Sequence, residues 1–572
     1  MAMTDFAPVT AAADRPGPRP LRDWLAPPIP GSALWGWLGP LLVTVFAGVL
    51  RFDRLGSPKS VVFDETYYAK DALALLKFGW EHNTVKDADK LLIADRHADI
   101  WADGPSFVAH PPLGKWMIAL GEWMFGATPF GWRFVPALCG TLSVLILCRV
   151  ARRMTGSTLL GCAAGLLLAL DGLQFVTSRA ALLDIFVMFW ILAGFACLVN
   201  DRDRSRRRLA EKIENGRTSV YGPFLLHGWR IAAGVCFGAA CATKWTGVFY
   251  IAFFGVMVVL WDYGARRAAG VRSPFAGTLM LEAVPAFVQL VVVAAITYVA
   301  SWSGWIFKGG GWGRGEVASN PLARPFEAMS PLWDYHEAIL NFHTGLDSKH
   351  PYQSWPWDWP ILRRPVAFFY NEPKGGACAS SRCSREILGI GTPALWWGAL
   401  VALVVVLFIW LILRDWRAGA IVVGFVAGWL TWFPSAFADR TMFLFYATPL
   451  IPFMVLAIVL AFGYLIGPAT VRRRAVPDPA ADGVHGGTDA QPAGPDRSDL
   501  DAGRDAEGAT AAGARVDGAH PAASSRRVVG AAAAGAFMLV VLANFAYFHP
   551  ILSAQTLPYD DWHARIWFSS WI

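Results

Sequence analysis

The chain has 572 residues, of which 55% are hydrophobic and only 16% are charged, and its mean hydropathy is +0.40. Soluble proteins carry about 25% charged residues, so this composition excludes an ordinary soluble domain. The net charge of +7 does not indicate a nucleic-acid partner, because the basic residues cluster at the ends of apolar runs and no RNP-like, zinc-finger or helix-turn-helix motif is present.

Apolar runs dominate the chain, and about 20 helical residues suffice to span roughly 30 Å of hydrocarbon. Eleven such runs predict an all-α polytopic membrane protein with transmembrane helices at 33–51, 132–151, 157–175, 181–199, 229–243, 246–263, 280–302, 392–413, 418–435, 441–466 and 528–551. The fifth and sixth runs are short and are interrupted by Lys244-Trp245. Residues 1–32 are rich in Pro, Ala and Arg and precede the first run, so we expect that run to remain as an uncleaved anchor.

The positive charges predict the orientation of these helices. With residues 1–32 in the cytoplasm, every inside connection is basic, and these connections contain Arg152-Arg153, the run from Arg202 to Arg217, Arg266-Arg267, Arg414 with Arg417, and Arg472-Arg473-Arg474. The inverted topology would place all five clusters outside, against the positive-inside rule. We therefore expect a cytoplasmic N-terminus and, after eleven spans, an outer C-terminal tail.

Three long segments do not span the membrane. Residues 52–131 and 303–390 are predicted to be outer loops of a transmembrane domain at 33–467. Residues 468–527 consist largely of Ala, Gly, Pro and Asp, cannot bury a core and are predicted to form a disordered cytoplasmic linker before the last helix and tail at 528–572. Cys378 and Cys383 lie in the second outer loop, where an oxidising compartment would favour a disulfide.

An acidic pair follows the first span, in the sequence Phe63-Asp64-Glu65. Two adjacent carboxylates can simply begin a solvated helix, since acids favour the first turn. Their aromatic neighbours and their place near the membrane surface favour a second interpretation, in which partial desolvation tunes one carboxylate into a base.

A second motif, His110-Pro111-Pro112-Leu113-Gly114-Lys115-Trp116, ends the same loop. The two prolines are expected to stop the loop and begin an amphipathic helix at the interface. His110 and Lys115 would then face the same rim as Asp64, and Lys115 is a cation suited to a phosphate.

Three more cations lie near the outer surface, against the positive-inside trend: Arg133, Arg179 and Lys244. Each could be an interfacial side chain that reaches for the headgroups. Together they suit an anionic group held at membrane level. A carboxylate beside such cations indicates group transfer from a lipid-linked phosphate, because a phosphate leaves without a proton and only the incoming nucleophile needs a base. A glycosidase would need a carboxyl pair spaced across the sugar, and no P-loop for a nucleotide is present.

The order of these motifs resembles that of the protein O-mannosyltransferases, in their actinobacterial branch. The resemblance rests on Phe63-Asp64-Glu65, His110 to Lys115, Gly131-Trp132-Arg133, Leu170-Asp171-Gly172, Ser178-Arg179 to Asp184, Thr243-Lys244-Trp245-Thr246-Gly247, and Phe443-Leu444-Phe445-Tyr446-Ala447-Thr448-Pro449. It is strong over the first 300 residues.

The resemblance implies a GT-C fold of eleven helices, with amphipathic helices in the outer loops. It implies transfer of mannose from polyprenyl-phosphate-mannose, with inversion, to Ser or Thr of secreted proteins, met at the secretion translocon of the plasma membrane. By carry-over, Asp64 is the general base and Glu65 positions the acceptor or the sugar. The phosphate ligands would come from Arg133, Arg179, Lys244 and Lys115, with Arg133 ranked first, and the other substrate contacts from His110, Tyr67, Asp171, Trp245 and Tyr446. No cofactor beyond the lipid donor and no metal is expected, since these cations could neutralise the phosphate.

The chain also departs from the family pattern. The second outer loop is too short for the β-trefoil that eukaryotic members carry there, and the acidic, Pro/Ala-rich insert before the last span is longer than expected. One alternative is a related enzyme that moves another sugar from polyprenyl phosphate to a lipid or cell-wall glycan. A transporter would instead place charges near the bilayer midplane on broken helices and carry internal repeats.

Overall fold

A computed structural model describes residues 20–217, 219–374, 376–467 and 521–572. Most of the linker predicted at 468–527, and residues 1–19 of the predicted N-terminal tail, lie outside these ranges. The described residues fall into two compact units, one of Met1–Ala461 with Ala536–Ile572 and one of Phe462–Gly535. All the residues discussed below as a site belong to the first unit.

Helices make up most of the described chain. In order they are α1 (Leu21–Leu25), α2 (Ala33–Phe52), α3 (Glu65–Lys77), α4 (Ala88–Ala94), α5 (Leu113–Phe125), α6 (Pro129–Thr155), α7 (Thr158–Ala169), α8 (Gly172–Thr177), α9 (Leu183–Glu214), α10 (Gly228–Cys241), α11 (Gly247–Ala268) and α12 (Pro274–Thr278). They continue with α13 (Val284–Phe287), α14 (Val293–Ser301), α15 (Ser303–Phe307), α16 (Arg324–Glu327), α17 (Met329–Thr344), α18 (Pro393–Leu413), α19 (Trp416–Trp429), α20 (Phe433–Phe437), α21 (Ile451–Ile466), α22 (Pro521–Leu552) and α23 (Tyr559–His563). Two π-helical turns, Leu279–Ala283 and Val288–Val292, join α12, α13 and α14, and a 3-10 helix at Leu444–Leu450 leads into α21.

Nine helical segments among the described residues are long and apolar enough to cross a membrane: Ala33–Phe52, Pro129–Thr155, Leu183–Glu214, Gly247–Ala268, Pro274–Ser301, Pro393–Leu413, Trp416–Phe437, Leu444–Ile466 and Ser525–Leu552. Two shorter apolar helices, α7 and α10, lie at the third and fifth predicted positions. All eleven predicted positions therefore carry an apolar helix. The fifth is short because α10 ends at Cys241, just before the Lys244-Trp245 interruption, and α11 begins at Gly247.

Two small antiparallel sheets lie between the spans, and the sequence did not predict them. One pairs β1 (His82–Thr84) with β2 (Trp101–Pro105), and the other has the order β3 (Val366–Asn371), β4 (Cys383–Gly389), β5 (Thr556–Pro558). A disulfide between Cys378 and Cys383 lies in the connection from β3 to β4, with Cα atoms 5.9 Å apart. The sequence allowed this disulfide without deciding it, and the structure contains it.

Glycine 114 explains how α5 comes to lie against the two helices that carry charged residues. A Cβ at Gly114 would lie 2.7 Å from Leu183 Cδ2 and 2.9 Å from Thr243 Cγ2, so only glycine permits this approach. The N–H of Leu113 also donates to the carbonyl oxygen of Ala242 at 3.0 Å. The start of α5 is thereby held against the start of α9 and the connection between α10 and α11.

Candidate active site

Asp64 immediately precedes α3 and is presented by an unusual backbone turn at Phe63. Phe63 has φ of 47°, a left-handed conformation that costs a non-glycine residue of order 1–3 kcal/mol. Its ring stacks on Phe368 at a centroid distance of 4.9 Å and packs edge-on against Phe445 at 5.5 Å. These aromatic contacts offset the strain and hold the turn, so the position of Asp64 is set by packing from both halves of the chain.

Glu65 supports the same turn from beneath and is completely buried. Its carboxylate accepts hydrogen bonds from the backbone N–H of Val62 and of Ala181, each at 3.0 Å, and forms an ion pair with Arg133. The ion pair fixes the Asp64 turn to α6, and the hydrogen bond from Ala181 fixes it to the segment before α9. Glu65 therefore stabilises the loop, and both of its carboxylate oxygens accept hydrogen bonds from protein donors.

A cavity of about 510 Å³ is lined by residues of α9, α11, α17, α19 and α20 together with residues of the connections between helices. Its lining includes His110, Asp184, Lys244, Trp245, Tyr250, His343, Trp432, Arg440 and Tyr446. Four of the residues that the sequence singled out, His110, Lys244, Trp245 and Tyr446, therefore share one cavity. Asp184, His343 and Arg440 join them without having been predicted as site residues.

Lys244 is the predicted cation that reaches this cavity. Its Nζ donates to Asp184 Oδ2 at 2.8 Å and lies 5.0 Å from the ring centroid of Tyr446. Trp245, the next residue, donates from Nε1 to the hydroxyl of Tyr298 at 3.0 Å. The interruption between α10 and α11 thus supplies one charged wall of the cavity.

Asp64 has the electrostatics of a usable base. Burial raises the pKa of its carboxyl to about 6, while the nearby Lys244 lowers it and Asp184 raises it further. Lys244 and Asp184, the two charged residues that influence this pKa, both line the cavity. Above pH 6 the group is an ionised carboxylate in poorly solvated surroundings, which suits proton abstraction near neutral pH.

Tyr68 occupies the place expected for its neighbour Tyr67. Tyr67 is 63% exposed, whereas Tyr68 lies against His110 with ring centroids 6.3 Å apart and close to the carboxylate of Asp64. Adjacent residues on a helix point about 100° apart, so only one of the two tyrosines can face the site. Burial, reinforced by the charge of Lys244, also lowers the pKa of His110 well below its ordinary value, so this imidazole is neutral at physiological pH.

Three predicted phosphate ligands lie outside the lining of this cavity, and each donates hydrogen bonds to other groups of the protein. Arg133 is buried, paired with Glu65, and donates to the carbonyl oxygens of Leu55, Pro58 and Ser60. Arg179 donates from Nη1 to the carbonyl oxygens of Leu50, Arg51 and Asp53, at the end of α2. Lys115 pairs with Glu81 inside the protein and donates to the carbonyl oxygen of His110 at 3.0 Å. Arg133 and Lys115 are buried, Arg179 is partly buried, and none of the three lines the cavity, so the cavity gives no support to the phosphate roles predicted for them.

Asp171 likewise has a structural position. It caps α8, where its Oδ1 accepts from the N–H of Gln174 at 2.8 Å, and its Oδ2 accepts from Trp396 Nε1 at 2.7 Å. The residue is fully buried and does not line the cavity, so a direct substrate contact is not supported.

Arg440 is one of the cavity residues that sequence reasoning missed. It lies between α20 and the 3-10 helix at Leu444–Leu450, with its guanidinium 5.8 Å from the Tyr446 ring. Within the described residues it has no carboxylate partner. A signal was present in the sequence, because Arg440 precedes the Phe443-to-Tyr446 motif by three residues and is a cation at the end of a predicted span.

Comparisons with known proteins agree on one family. Its sequence model, described as dolichyl-phosphate-mannose-protein mannosyltransferase, matches residues 41–302, and the C-terminal four-transmembrane region of protein-O-mannosyltransferase matches residues 328–571. A polyprenol-phosphate-mannose–protein mannosyltransferase of Mycolicibacterium smegmatis (strain MKD8) is 34% identical over 553 residues, which are 94% of this chain and 93% of the relative. The protein of the same name from Mycobacterium tuberculosis (strain CDC 1551 / Oshkosh) is 33% identical over 95% of this chain and 93% of its own length.

One solved structure shares the fold across nearly the whole chain. The Saccharomyces cerevisiae protein O-mannosyltransferase Pmt1–Pmt2 complex, bound to the sugar donor, matches with a TM-score of 0.65 over 96% of this chain and 94% of that chain. The identity is 14%, so this likeness concerns the fold alone.

The family models define a glycosyltransferase, and the polytopic helical fold shared with the yeast protein is the architecture of the GT-C class. Two family models and two nearly full-length relatives make the assignment specific. The chain belongs to the protein O-mannosyltransferase family. The fold class and enzyme class predicted from the sequence are confirmed.

Proposed function

We propose that this enzyme transfers mannose from polyprenyl-phosphate-mannose to Ser or Thr hydroxyls of secreted proteins, at the outer face of the plasma membrane. The observation that carries the proposal is one cavity lined by the cations Lys244 and Arg440, of which Lys244 is near enough to Asp64 to lower the pKa of that carboxyl. A general base and two cations are the groups that glycosyl transfer from a phosphate requires. The family relatives carry this same donor and acceptor class in their names.

The reaction is a single displacement with inversion at C1 of mannose. The acceptor hydroxyl gives its proton to the carboxylate of Asp64 while its oxygen attacks C1. The bond between C1 and the phosphate oxygen breaks, and polyprenyl phosphate leaves with that electron pair. No proton is needed on the leaving phosphate, so a single carboxylate base suffices.

Lys244 and Arg440 are the proposed phosphate ligands, in place of the larger set that the sequence suggested. Both line the cavity, and developing charge on a phosphate is stabilised strongly by cations held ready in a poorly solvated site. Arg440 can contribute a bidentate contact, and Lys244 a single point charge. Trp245 and Tyr446 supply aromatic surface for the sugar or the first isoprene units.

The polyprenyl chain is proposed to leave the cavity between α11 and the α19–α20 segment. Val248 and Phe249 on α11 line the cavity and are 52% and 37% exposed, and Ala438 lines the opposite side. An isoprenoid chain fits this apolar rim because it would pass directly into the lipid.

The assay that tests the function separates it from the alternative acceptor class. Membranes containing this chain would receive labelled polyprenyl-phosphate-mannose with a Thr-rich peptide or with its Thr-to-Ala counterpart. We expect label on the Thr peptide alone. Label that enters lipid or cell-wall glycan, with none on the peptide, would favour the related glycan-modifying enzyme and contradict the proposal.

Sidedness has its own test in intact cells. Tyr67 is exposed on the same segment as Asp64, and Arg207 is exposed within the basic run of α9. We expect a membrane-impermeant maleimide to label Tyr67→Cys in intact cells and Arg207→Cys only after permeabilisation. The reverse pattern would overturn the proposed orientation.

A further inference from the structure

Helix α17 forms part of the cavity wall through its last turn, although it lies outside every candidate span. Leu340, His343 and Thr344 line the cavity, while Leu332, Tyr335 and Ile339 on the same helix are buried against its neighbours. α17 is therefore packed firmly against its neighbours, so the side chains of its last turn are held in fixed positions.

His343 on this turn contacts Arg440 twice. Arg440 donates from Nε to the main-chain carbonyl oxygen of His343 at 3.0 Å, and its Nη2 lies 3.2 Å from His343 Nδ1. A third, longer contact runs from Nη1 to the carbonyl oxygen of Thr441 at 3.4 Å. A guanidinium has five N–H groups, so two remain without a partner among the described residues.

The remaining contact of His343 determines where its proton lies. His343 Nε2 is 2.8 Å from the carbonyl oxygen of Ala109, which can only accept a hydrogen bond, so Nε2 carries the proton. Nδ1 is then a free lone pair and accepts from Arg440. Burial lowers the pKa of His343 to about 4, with Arg440 adding to the shift, in agreement with a neutral ring.

The two cavity cations, Lys244 and Arg440, thus have different kinds of partner: a carboxylate for Lys244 and neutral groups for Arg440. Asp184 holds Lys244 and cancels much of its charge at long range. A neutral imidazole and two carbonyl oxygens hold Arg440, so its orientation is set while its positive charge stays available. That is the arrangement expected of a cation reserved for an incoming anion.

We infer that His343 is a positioning residue for the donor phosphate, which holds the guanidinium of Arg440 so that its two remaining N–H groups meet the phosphate of the lipid carrier. The inference rests on the proposed function, since it assigns the role of Arg440 in that site. His343 also links Arg440 to the backbone of Ala109, next to the cavity residue His110, and so sets the distance between the phosphate and the Asp64 side of the cavity.

Two isosteric substitutions separate this role from simple packing. In His343→Gln the amide nitrogen lies near the former Nε2 and can still donate to Ala109, but no acceptor faces Arg440. In His343→Asn the amide oxygen lies near the former Nδ1 and can still accept from Arg440. Glu337→Gln is the matched control, because Glu337 is exposed on the same helix and does not line the cavity.

The measurement is the dissociation constant of undecaprenyl phosphate for the full-length protein in detergent, which requires no turnover. Loss of one hydrogen bond to a charged group corresponds to roughly tenfold in affinity, so we expect His343→Gln to weaken binding by that factor. His343→Asn and Glu337→Gln are expected to bind like the unsubstituted protein. Arg440→Ala should weaken binding at least as much as His343→Gln, and the double variant His343→Gln/Arg440→Ala should bind like Arg440→Ala alone.

The outcomes are distinguishable. If Arg440→Ala weakens binding but His343→Gln does not, or if the two effects add, the positioning role is overturned while the phosphate site stands. If Arg440→Ala leaves binding unchanged, the phosphate role of Arg440 fails, and the inference fails with it. If the unsubstituted protein transfers no mannose to the Thr peptide, that result contradicts the proposed function itself.

Discussion

Glu65 and Arg133 form a two-point ion pair inside the protein, with Arg133 Nε 2.7 Å from Glu65 Oε1 and Nη2 2.8 Å from Oε2. Both side chains are almost completely shielded from solvent. The pair distinguishes the two members of the acidic motif, because Glu65 holds the loop, while the pKa of the adjacent Asp64 responds to the cavity residues Lys244 and Asp184.

The first prediction concerns this pair. Removing one partner leaves an unpaired buried charge, so Glu65→Ala and Arg133→Ala are each expected to lower the free energy of unfolding by about 3–5 kcal/mol. Thermal unfolding in detergent measures the loss. Lys77→Met, which breaks the exposed pair of Lys77 with Asp99, is the control and should unfold like the unsubstituted protein. A stable Arg133→Ala protein that binds undecaprenyl phosphate poorly would restore Arg133 as a phosphate ligand.

The second prediction concerns pH. Burial raises the pKa of Asp64 to about 6, so the carboxylate base is progressively lost as the pH falls below that value. We expect kcat/KM for mannosyl transfer to fall about tenfold for each unit of pH below 6 and to level off above it. Asp71 lies on the helix that follows Asp64, and burial raises the pKa of its carboxyl to about 7, so it is a second candidate for this titration. Asp71→Asn should leave the fall in kcat/KM near pH 6. If the fall in kcat/KM shifts to another pH in Asp71→Asn, the titrating group is Asp71.

The third prediction compares two lysines with different surroundings. Lys244 lines the cavity, so Lys244→Met should lower kcat/KM by about 10²–10³ through weaker stabilisation of the leaving phosphate. Lys115 is internally paired with Glu81, so Lys115→Met should lower the thermal midpoint and leave the affinity of the folded protein for undecaprenyl phosphate unchanged. The opposite pattern would exchange their roles.

The fourth prediction concerns divalent metal ions. Lys244 and Arg440 together supply the positive charge that a leaving phosphate needs. We therefore expect transfer to continue in excess EDTA at the rate seen without it. Activity that disappears in EDTA and returns with Mg²⁺ or Mn²⁺ would show that the two cations are not sufficient.

Much of the fold could be predicted from the sequence because apolar runs of spanning length leave few alternatives to helices. Only part of the candidate site could be predicted from the sequence. Lys244 and His110 were recognised from local motifs, but the pairing of Arg133 with Glu65, 68 residues away, could not be predicted because nothing local reveals it. The Arg440–His343 contact joins residues 97 apart, which only the folded chain brings together. The short sheets were missed because their strands are brief and lie among turns.

The rate of mannosyl transfer by Asp64→Asn tests the central claim most directly. Asn keeps the size of the side chain and removes the base, so we expect the rate from polyprenyl-phosphate-mannose to a Thr-rich peptide to fall by about 10²–10⁴-fold. Asp99→Asn makes the same change at a largely exposed carboxyl on the same segment and should transfer like the unsubstituted protein. An Asp64→Asn protein that still transfers mannose at the full rate would contradict the assignment of Asp64 as the base.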